Sequence, residues 1–398
     1  MLLGIMLLIF VILGGLSTAR YLGFNAKYYD LGAMSQVVWS ATQGAPLLFT
    51  GRGIILSRLS RSVELVYFLL APIYALFPSP ITLLLIQAGA YALGALPLFR
   101  LARRRLQHDW LALAIAAIYL LYPAGQTAVF ADFHADPLAV PLLLFAIEAA
   151  DRHAWRSYAV WTLLALTCKF YVAIPIAALG MVLWLRGERK AGGATIIAAA
   201  LWGAVMFLGV HSAFMPPPVE AAQGINIQTT PLAYLANRFQ LQFMLDTAVL
   251  RLVNGVIVCM PALILLGWRA PLWLLPAAAV VGPVLISSGF GPSFSYRTHH
   301  YALAVPFLVV AVLMGAAQQV GSSPSPPARR PAWQGRILLT LFTTLVFNVA
   351  FVDSPLSPQF YGERPSLEQG LSSTRFGVTP RDTFKRGWLA AHAPPASR

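Results

Sequence analysis

Long apolar runs follow one another along almost the whole chain and are separated only by short polar breaks. The first extends from Leu2 to about Leu16, and others recur as far as residue 353. A helix needs about 20 mostly apolar residues to cross a hydrocarbon core about 30 Å thick. Backbone groups in lipid must be paired within the segment, which favours helices. The pattern therefore predicts an all-α, polytopic helical membrane protein.

Composition supports the same fold class. Of 398 residues, 58% are hydrophobic and only 11% are charged, whereas a soluble domain carries about 25% charged residues. The net charge of +14 comes from Lys and Arg scattered singly between apolar runs. We therefore expect contacts with membrane lipids and no nucleic-acid partner. Cys168 and Cys259 lie in apolar segments, where free thiols behave as small hydrophobic groups.

About eleven transmembrane helices are predicted. They comprise the first run, retained as a span or alternatively cleaved after Ala19, and residues 81–99, 109–129, 137–150, 156–168, 171–186, 192–212, 249–267, 271–287, 301–317 and 337–353. The run 63–77 is only 15 residues long, contains Glu64 and is stopped by Pro78 and Pro80. We expect it to form one interfacial helix after an outer loop, residues 20–62. Residues 1–353 then form a transmembrane domain, and residues 354–398 a short extracytoplasmic tail.

Short basic loops predict the orientation, because Lys and Arg near span ends are retained on the cytoplasmic side. Such loops contain Arg100 with Arg103–Arg105, Arg152 with Arg156, Arg186 with Arg189 and Lys190, Arg269, and Arg329 with Arg330 and Arg336. They favour a cell (inner) membrane protein with a cytoplasmic N-terminus and an extracytoplasmic C-terminus. Lys169 interrupts an apolar stretch between two of these loops, so we expect two half-spans that turn near Lys169, with its ammonium facing protein.

Ionisable residues gather in the predicted outer segments. Asp30 is the only carboxylate of the first loop, and it is a candidate base or metal ligand, or else a helix N-cap or partner of Lys27. Asp132, His134 and Asp136 have the donor types of a divalent cation site. The other interpretation of these three is a capped helix start, with Asp136 before Pro137.

Basic residues of these outer segments are candidate phosphate ligands. Arg297 precedes His299 and His300 at the start of a span, and its guanidinium matches phosphate oxygens. Arg58 and Arg61 are candidates for the same reason. For all three arginines, the alternative is that they belong to a belt of aromatic and basic residues at the membrane interface. No motif of a hydrolase, a P-loop or a dinucleotide site is present.

Several stretches resemble the family of predicted membrane proteins known as domain of unknown function 2079. They are Tyr29–Gly32 with Gln36 and Trp39, Leu70–Pro80, Phe133–Ala139, Cys168 with Lys169, and His299–Tyr301. That family is similar to the GT-C glycosyltransferases, membrane enzymes that take a sugar from a polyprenyl-phosphate carrier at the outer face. The resemblance implies that Asp30 is the acidic residue of the first loop and that Lys169 and Arg297 face the lipid phosphate.

The leading hypothesis is therefore a GT-C-like glycosyltransferase that moves a sugar from a polyprenyl-phosphate donor to an acceptor, assisted by Mg²⁺ or Mn²⁺ or by basic side chains. Gln36, Glu64, His299 and His300 are further candidate site residues. The alternative is a non-catalytic scaffold or lipid-binding subunit of a larger membrane complex. It is suggested by Ser62 and Phe170, which replace a usual histidine and a usual acidic residue of the family. A transporter is less favoured because no internal repeat is visible.

Overall fold

A computed structural model describes residues 1–51, 54–215, 230–288, 293–320, 332–361, 378 and 380–392. Helices make up most of this part of the chain, which confirms the predicted fold class. The α-helices are α1 (Leu2–Leu22), α2 (Ala33–Thr42), α3 (Val66–Leu76), α4 (Pro80–Leu93), α5 (Ala95–Leu106), α6 (Asp109–Leu120), α7 (Pro123–Phe130), α8 (Ala135–Asp151), α9 (Trp155–Leu166), α10 (Ala173–Leu185), α11 (Arg189–Ala204), α12 (Pro231–Ala236), α13 (Leu241–Asp246), α14 (Ala248–Leu263), α15 (Pro271–Ile286), α16 (Val305–Val320), α17 (Ala332–Phe351), α18 (Pro358–Tyr361) and α19 (Pro380–His392).

Short irregular helices and one hairpin complete the described fold. Turns of 3-10 helix lie at Arg58–Ser60, Phe170–Val172, Gly267–Arg269 and His299–Ala304, and π-helical turns lie at Tyr28–Gly32 and Val205–His211. Strands β1 (Leu48–Gly51) and β2 (Ile54–Ser57) pair antiparallel, with Leu48 opposite Ser57. This hairpin lies inside the predicted outer loop and was not anticipated from the sequence.

Five described helical segments are long and apolar enough to cross a membrane, or seven if each of two bent helix pairs counts as one span. The five are Leu2–Leu22, Pro80–Leu106, Arg189–His211, His299–Val320 and Ala332–Phe351. The predicted total of eleven is not confirmed by this criterion, because segments such as α15 are shorter than a full span.

Helix α3 corresponds to the predicted interfacial segment. It has 11 residues and is therefore about 16 Å long, roughly half the thickness of a hydrocarbon core. Ser79 accepts a hydrogen bond from the Ile81 N–H at the start of the next helix, α4, so the chain turns at Phe77–Pro80. The length agrees with a helix that does not span, while its position relative to lipid stays a prediction.

The described helices differ in how much of their surface is covered. Helix α16 is central, since every residue from Val305 to Ala316 is buried. Helix α11 instead exposes large apolar side chains, including Ile197 at 62% and Leu201 at 61%. Helices α10 and α11 pack closely through small residues: a Cβ on Gly192 would lie 2.6 Å from the Gly180 carbonyl oxygen. A buried centre, an uncovered apolar periphery and glycine contacts are typical of membrane bundles.

The last described helix returns to the first one. Arg386 of α19 donates a hydrogen bond to the Leu22 carbonyl at the end of α1, and Lys385 lies over the Phe24 ring. In the predicted tail, residues 362–377, 379 and 393–398 lie outside the described residues, as do residues 216–229 and 289–292 of two predicted outer loops. Helix α19 of the predicted tail therefore lies at the C-terminal end of α1.

Candidate functional site

A buried ion cluster lies where α8 begins and where α9 gives way to α10. The Lys169 ammonium is 2.6 Å from the Asp136 carboxylate and 3.5 Å from that of Glu64. Glu64 and Asp136 are fully buried, and Lys169 is 2% exposed. Lys169 is thus held between two carboxylates in the protein interior.

The break between α9 and α10 is what allows Lys169 to reach this position. Helix α9 ends at Leu166, and Lys169 is extended before the turn Phe170–Val172. Two backbone hydrogen bonds join this break to the start of α3 and the segment before it. The Val66 N–H donates to the Thr167 carbonyl at 2.9 Å, and the Phe170 N–H donates to the Ser62 carbonyl at 3.0 Å. The predicted turn at Lys169, with its ammonium facing protein, is confirmed.

Glu64 is shared between two cations and a phenol. The Arg58 guanidinium donates to it at 2.9 Å, and the Tyr67 hydroxyl lies at 3.4 Å. Burial lowers the pKa of Arg58, but the attraction of Glu64 outweighs that effect, so the net pKa is raised. Arg58 therefore keeps its charge and shares the Glu64 carboxylate with Lys169.

Asp136 connects the cation cluster to a row of imidazoles. The Tyr171 hydroxyl donates to Asp136 at 2.8 Å, and the His299 Nε2 lies 3.6 Å from its second oxygen. His299 stacks on His134 on one side and on His300 on the other, with ring centroids 3.4 Å and 4.2 Å apart. The alternative interpretation of Asp136 as an N-cap is wrong, because His134 occupies that position and Asp136 lies in the first turn of α8.

Asp30 lies at the outer edge of this arrangement, in the π-helical turn Tyr28–Gly32. Its carboxylate is 3.7 Å from the His134 Nε2, and its side chain is 30% exposed. Burial raises the pKa of Asp30 above its ordinary value, although Lys27 and Arg20 oppose this effect. Asp30 is thus the most accessible carboxylate of the group.

His134 is held in place through its backbone, and burial favours its neutral form. Its backbone N–H donates to the Gln87 side chain at 2.8 Å, and Gln87 donates in turn to the Val129 and Asp132 carbonyls. Burial lowers the pKa of His134 well below its usual range, and Lys169 acts in the same direction. Burial therefore favours the neutral imidazole beside Asp30, and the positive charges that act on this carboxylate are those of Lys27 and Arg20, with Arg58 and Lys169.

Asp132 has a structural role next to the cluster. It is paired with Arg20 at 3.0 Å and accepts a hydrogen bond from the Lys27 N–H at 3.0 Å. Its φ of +65° is left-handed, a conformation that Asp tolerates better than most residues. Burial raises its pKa, against the opposing effect of Arg20. Asp132 thereby joins the end of α1 to the turn between α7 and α8.

The predicted divalent cation site does not fit this geometry. Asp132 is directed to Arg20 and Asp136 to Lys169, so each carboxylate already compensates a buried positive charge. Across the described ranges, no three His, Cys, Asp or Glu side chains are grouped so that they could hold a metal ion. We therefore derive no chemical step through a metal held by Asp132, His134 and Asp136.

The remaining candidates lie at the periphery. Gln36 accepts a hydrogen bond from the Thr50 N–H at 3.0 Å and so fixes the hairpin to α2. Arg61 ends the turn that begins at Arg58. Arg297 is exposed and donates to the Tyr296 hydroxyl at 3.0 Å. The structure thus brings together Asp30, Glu64, His134, Asp136, Lys169, His299 and His300, and leaves Gln36 and Arg297 outside the buried cluster.

Several residues that build the site were missed in the sequence. Arg20 and Gln87 are polar residues within otherwise apolar helices, which is itself a signal of a functional or packing role. Tyr67 and Tyr171 gave no such signal, because aromatic residues are common at membrane interfaces. Only their hydrogen bonds to Glu64 and Asp136 distinguish them from the other tyrosines.

The fold and the cluster define a polytopic helical membrane protein with a buried charged site at one end of its helices. The chain belongs to the family described as predicted membrane protein (DUF2079), whose model matches residues 20–375. A search of curated protein sequences finds no match. Among solved structures, the crystal structure of ArnT from Cupriavidus metallidurans bound to undecaprenyl phosphate aligns at 14% identity and a TM-score of 0.48. The alignment covers 86% of this chain and 63% of that one.

Removing the Lys169 charge is expected to destabilise the fold. Lys169→Met leaves Glu64 and Asp136 buried without their common cation, and such a loss costs about 3–5 kcal/mol. The thermal midpoint of the purified protein in detergent should fall by many degrees. Lys190→Met, at an exposed lysine of α11, is the matched control and should melt like the wild type. Equal midpoints for both variants would contradict the role assigned to Lys169.

Proposed function

We propose that this protein is a GT-C-like membrane glycosyltransferase that moves a sugar from a polyprenyl-phosphate donor to an acceptor hydroxyl at the outer membrane face. The observation that supports this most is the environment of the Asp30 carboxylate, meaning its ion contact and its partial exposure. In the part of the chain that the structure describes, its ion contact is with the neutral His134 and not with a lysine or arginine. A partly exposed carboxylate of this kind is suited to accept a proton.

The neighbouring carboxylates are less suited to this task. Glu64 and Asp136 are fully buried against Lys169, and Asp132 is buried against Arg20. Their oxygens are already occupied by cations, and an acceptor hydroxyl has no access to them. The proposed general base is therefore Asp30.

The proposed reaction is a single displacement with inversion at the anomeric carbon. The acceptor oxygen attacks that carbon while its proton passes to an Asp30 carboxylate oxygen. The bond between the anomeric carbon and the phosphate oxygen breaks, and its electron pair stays with the phosphate. Because the polyprenyl phosphate leaves as an anion, no second residue has to act as an acid. The raised pKa of Asp30 favours this role, since a base works best with a pKa near the working pH.

Arg297 is the cation that we assign to the leaving phosphate. It is exposed, lies beside Tyr296 and precedes His299 by two residues, so about 7 Å of chain at most separates their Cα atoms. Its fork of N–H groups matches phosphate oxygens. Lys169 and Arg58 are already neutralised by buried carboxylates, and we assign them to positioning rather than to direct phosphate contact.

A non-catalytic scaffold or lipid-binding subunit of a larger membrane complex is the second candidate. It is favoured by the pairing of Lys169 and Arg58 within the protein. Such a closed network of charges is also able to serve as a structural core. In that case other membrane subunits would be the partners, and no sugar transfer would be detected.

The proposed orientation has a cytoplasmic N-terminus and an extracytoplasmic C-terminus in the cell (inner) membrane. Helix α1, with 21 residues, is long enough to cross a hydrocarbon core. Its C-terminal end meets both Asp132 and the last described helix. The site and the C-terminus are then on the same outer side.

Asp30→Asn is expected to abolish transfer while leaving the fold intact. The change keeps the shape of the side chain and removes its charge, so the rate should fall by about 10²-fold or more. Release of undecaprenyl phosphate from a panel of undecaprenyl-phosphate-linked hexoses and pentoses in proteoliposomes measures this loss. Asp109→Asn, at an exposed residue paired with Arg103, is the control and should retain full activity.

Two outcomes of this assay would overturn the proposal. Full activity in Asp30→Asn would exclude Asp30 as the base. An inactive wild type that is recovered in a stable larger assembly would instead establish the scaffold function.

The dependence of kcat/KM on pH should reflect the ionisation of Asp30. Only the ionised carboxylate accepts a proton, so kcat/KM should fall as the pH is lowered through the Asp30 pKa. Because burial raises that pKa, the fall should begin at a higher pH than the ordinary value of about 3.9 implies. The fall of kcat/KM at low pH should also be present in His134→Asn, whose remaining activity is measured over the same pH range. Loss of the acidic limb in that variant would assign it to the imidazole instead.

Arg297→Gln is expected to weaken use of the lipid-linked donor. Loss of one phosphate contact should lower kcat/KM by about tenfold or more, because a charge-assisted hydrogen bond contributes about 1.5–3 kcal/mol. Initial rates over a range of donor concentrations measure this change. Arg156→Gln, at an exposed arginine of α9, is the control. Equal kinetics in the two variants would remove Arg297 from the proposed site.

A further inference from the structure

A second candidate site lies at the other end of the helices. A cavity of about 480 Å³ is lined by Arg105, Arg186, Ala270, Trp273 and Met314, among others. Helix α8 leads from Asp136, in the buried cluster, to Asp151, which is paired with Arg105. Fifteen residues of helix span about 22 Å. The cavity is therefore separated from the proposed transferase site by most of the thickness of a membrane.

Two guanidinium groups line this cavity. Arg105 is neutralised by Asp151, with Nε 2.8 Å from the carboxylate. Arg186 lies over the Trp273 ring at 5.1 Å. Within the described segments Arg186 has no carboxylate at ion-pair distance, although Asp151 and Glu188 are near enough to act on its charge. One cation without a direct ion pair therefore lines the cavity.

The cavity also has features that suit an anion attached to an apolar body. Helix α15 begins at Pro271, and the N-terminal end of a helix carries partial positive charge. Trp273 and Met314 supply an apolar wall. Leu272, which also lines the cavity, is 41% exposed. A free phosphate would gain nothing from these apolar groups, whereas a lipid would cover them with its glycerol and acyl chains.

We propose that this cavity binds the phosphate of an anionic phospholipid headgroup, held by Arg186, with Trp273 against the glycerol backbone. The volume lies within the range of about 300–1,000 Å³ that is common for small-molecule sites. The surrounding basic loops are those expected on the cytoplasmic side, where anionic lipids attract arginine and lysine. Such a lipid would fix the ends of α5, α10 and α15 relative to one another.

Native mass spectrometry of the delipidated protein titrated with phosphatidylglycerol tests this site. The first bound lipid should be held about tenfold more weakly by Arg186→Gln, and Arg186→Lys should fall between that variant and the wild type because it retains charge without the planar fork. Arg189→Gln is the matched control, since Arg189 is exposed at the same end and does not line the cavity. It should bind phosphatidylglycerol like the wild type.

The same titration contains the results that would overturn the proposal. If Arg186→Gln and Arg189→Gln weaken phosphatidylglycerol binding equally, the effect comes from general surface charge and not from this cavity. Equal binding of phosphatidylcholine would exclude recognition of an anionic headgroup. Displacement of the lipid by inorganic phosphate at millimolar concentration would assign the cavity to a free anion. Asp30→Asn should bind phosphatidylglycerol normally, so failure of this proposal is separable from failure of the transferase proposal.

Discussion

The ion contacts of Lys169 with Glu64 and Asp136 are the interaction on which the described structure depends most. An ammonium in the interior of a membrane protein is costly unless it is paired, and here two buried carboxylates neutralise it. Each partner comes from a different part of the chain: the segment before α3, the start of α8 and the break before α10. One buried charge therefore fixes three segments that are distant in sequence, and it requires the helix break at which it lies.

The same arrangement explains why the charged groups of the site differ in character. Glu64, Asp132 and Asp136 are each bound to a cation, so they position the surrounding helices. Among the described residues, the ion contact of Asp30 is with His134, whose neutral form burial favours, and the Asp30 side chain is partly exposed. This difference in pairing separates the carboxylates that hold the helices together from the one to which we assign the proposed reaction.

The bundle presents different chemistry at its two ends. At one end, carboxylates, imidazoles and Lys169 form a closed network, with Arg297 exposed at its edge. At the other, arginines at the ends of α5 and α10 border an apolar cavity. Helix α8 joins the two, since Asp136 and Asp151 lie at its opposite ends.

The sequence by itself determined the solvent and the class of fold, because so many apolar residues in continuous runs can be stable only as helices in lipid. It also predicted the turn at Lys169, since a lone lysine in an apolar stretch needs an interior position. The partners of Lys169, the roles of Arg20 and Tyr171, and the pairing of Asp132 and Asp136 with basic side chains were decided only by the tertiary structure. Ion pairs depend on distances of a few ångströms between segments far apart in the chain, and local sequence patterns carry no information about those distances.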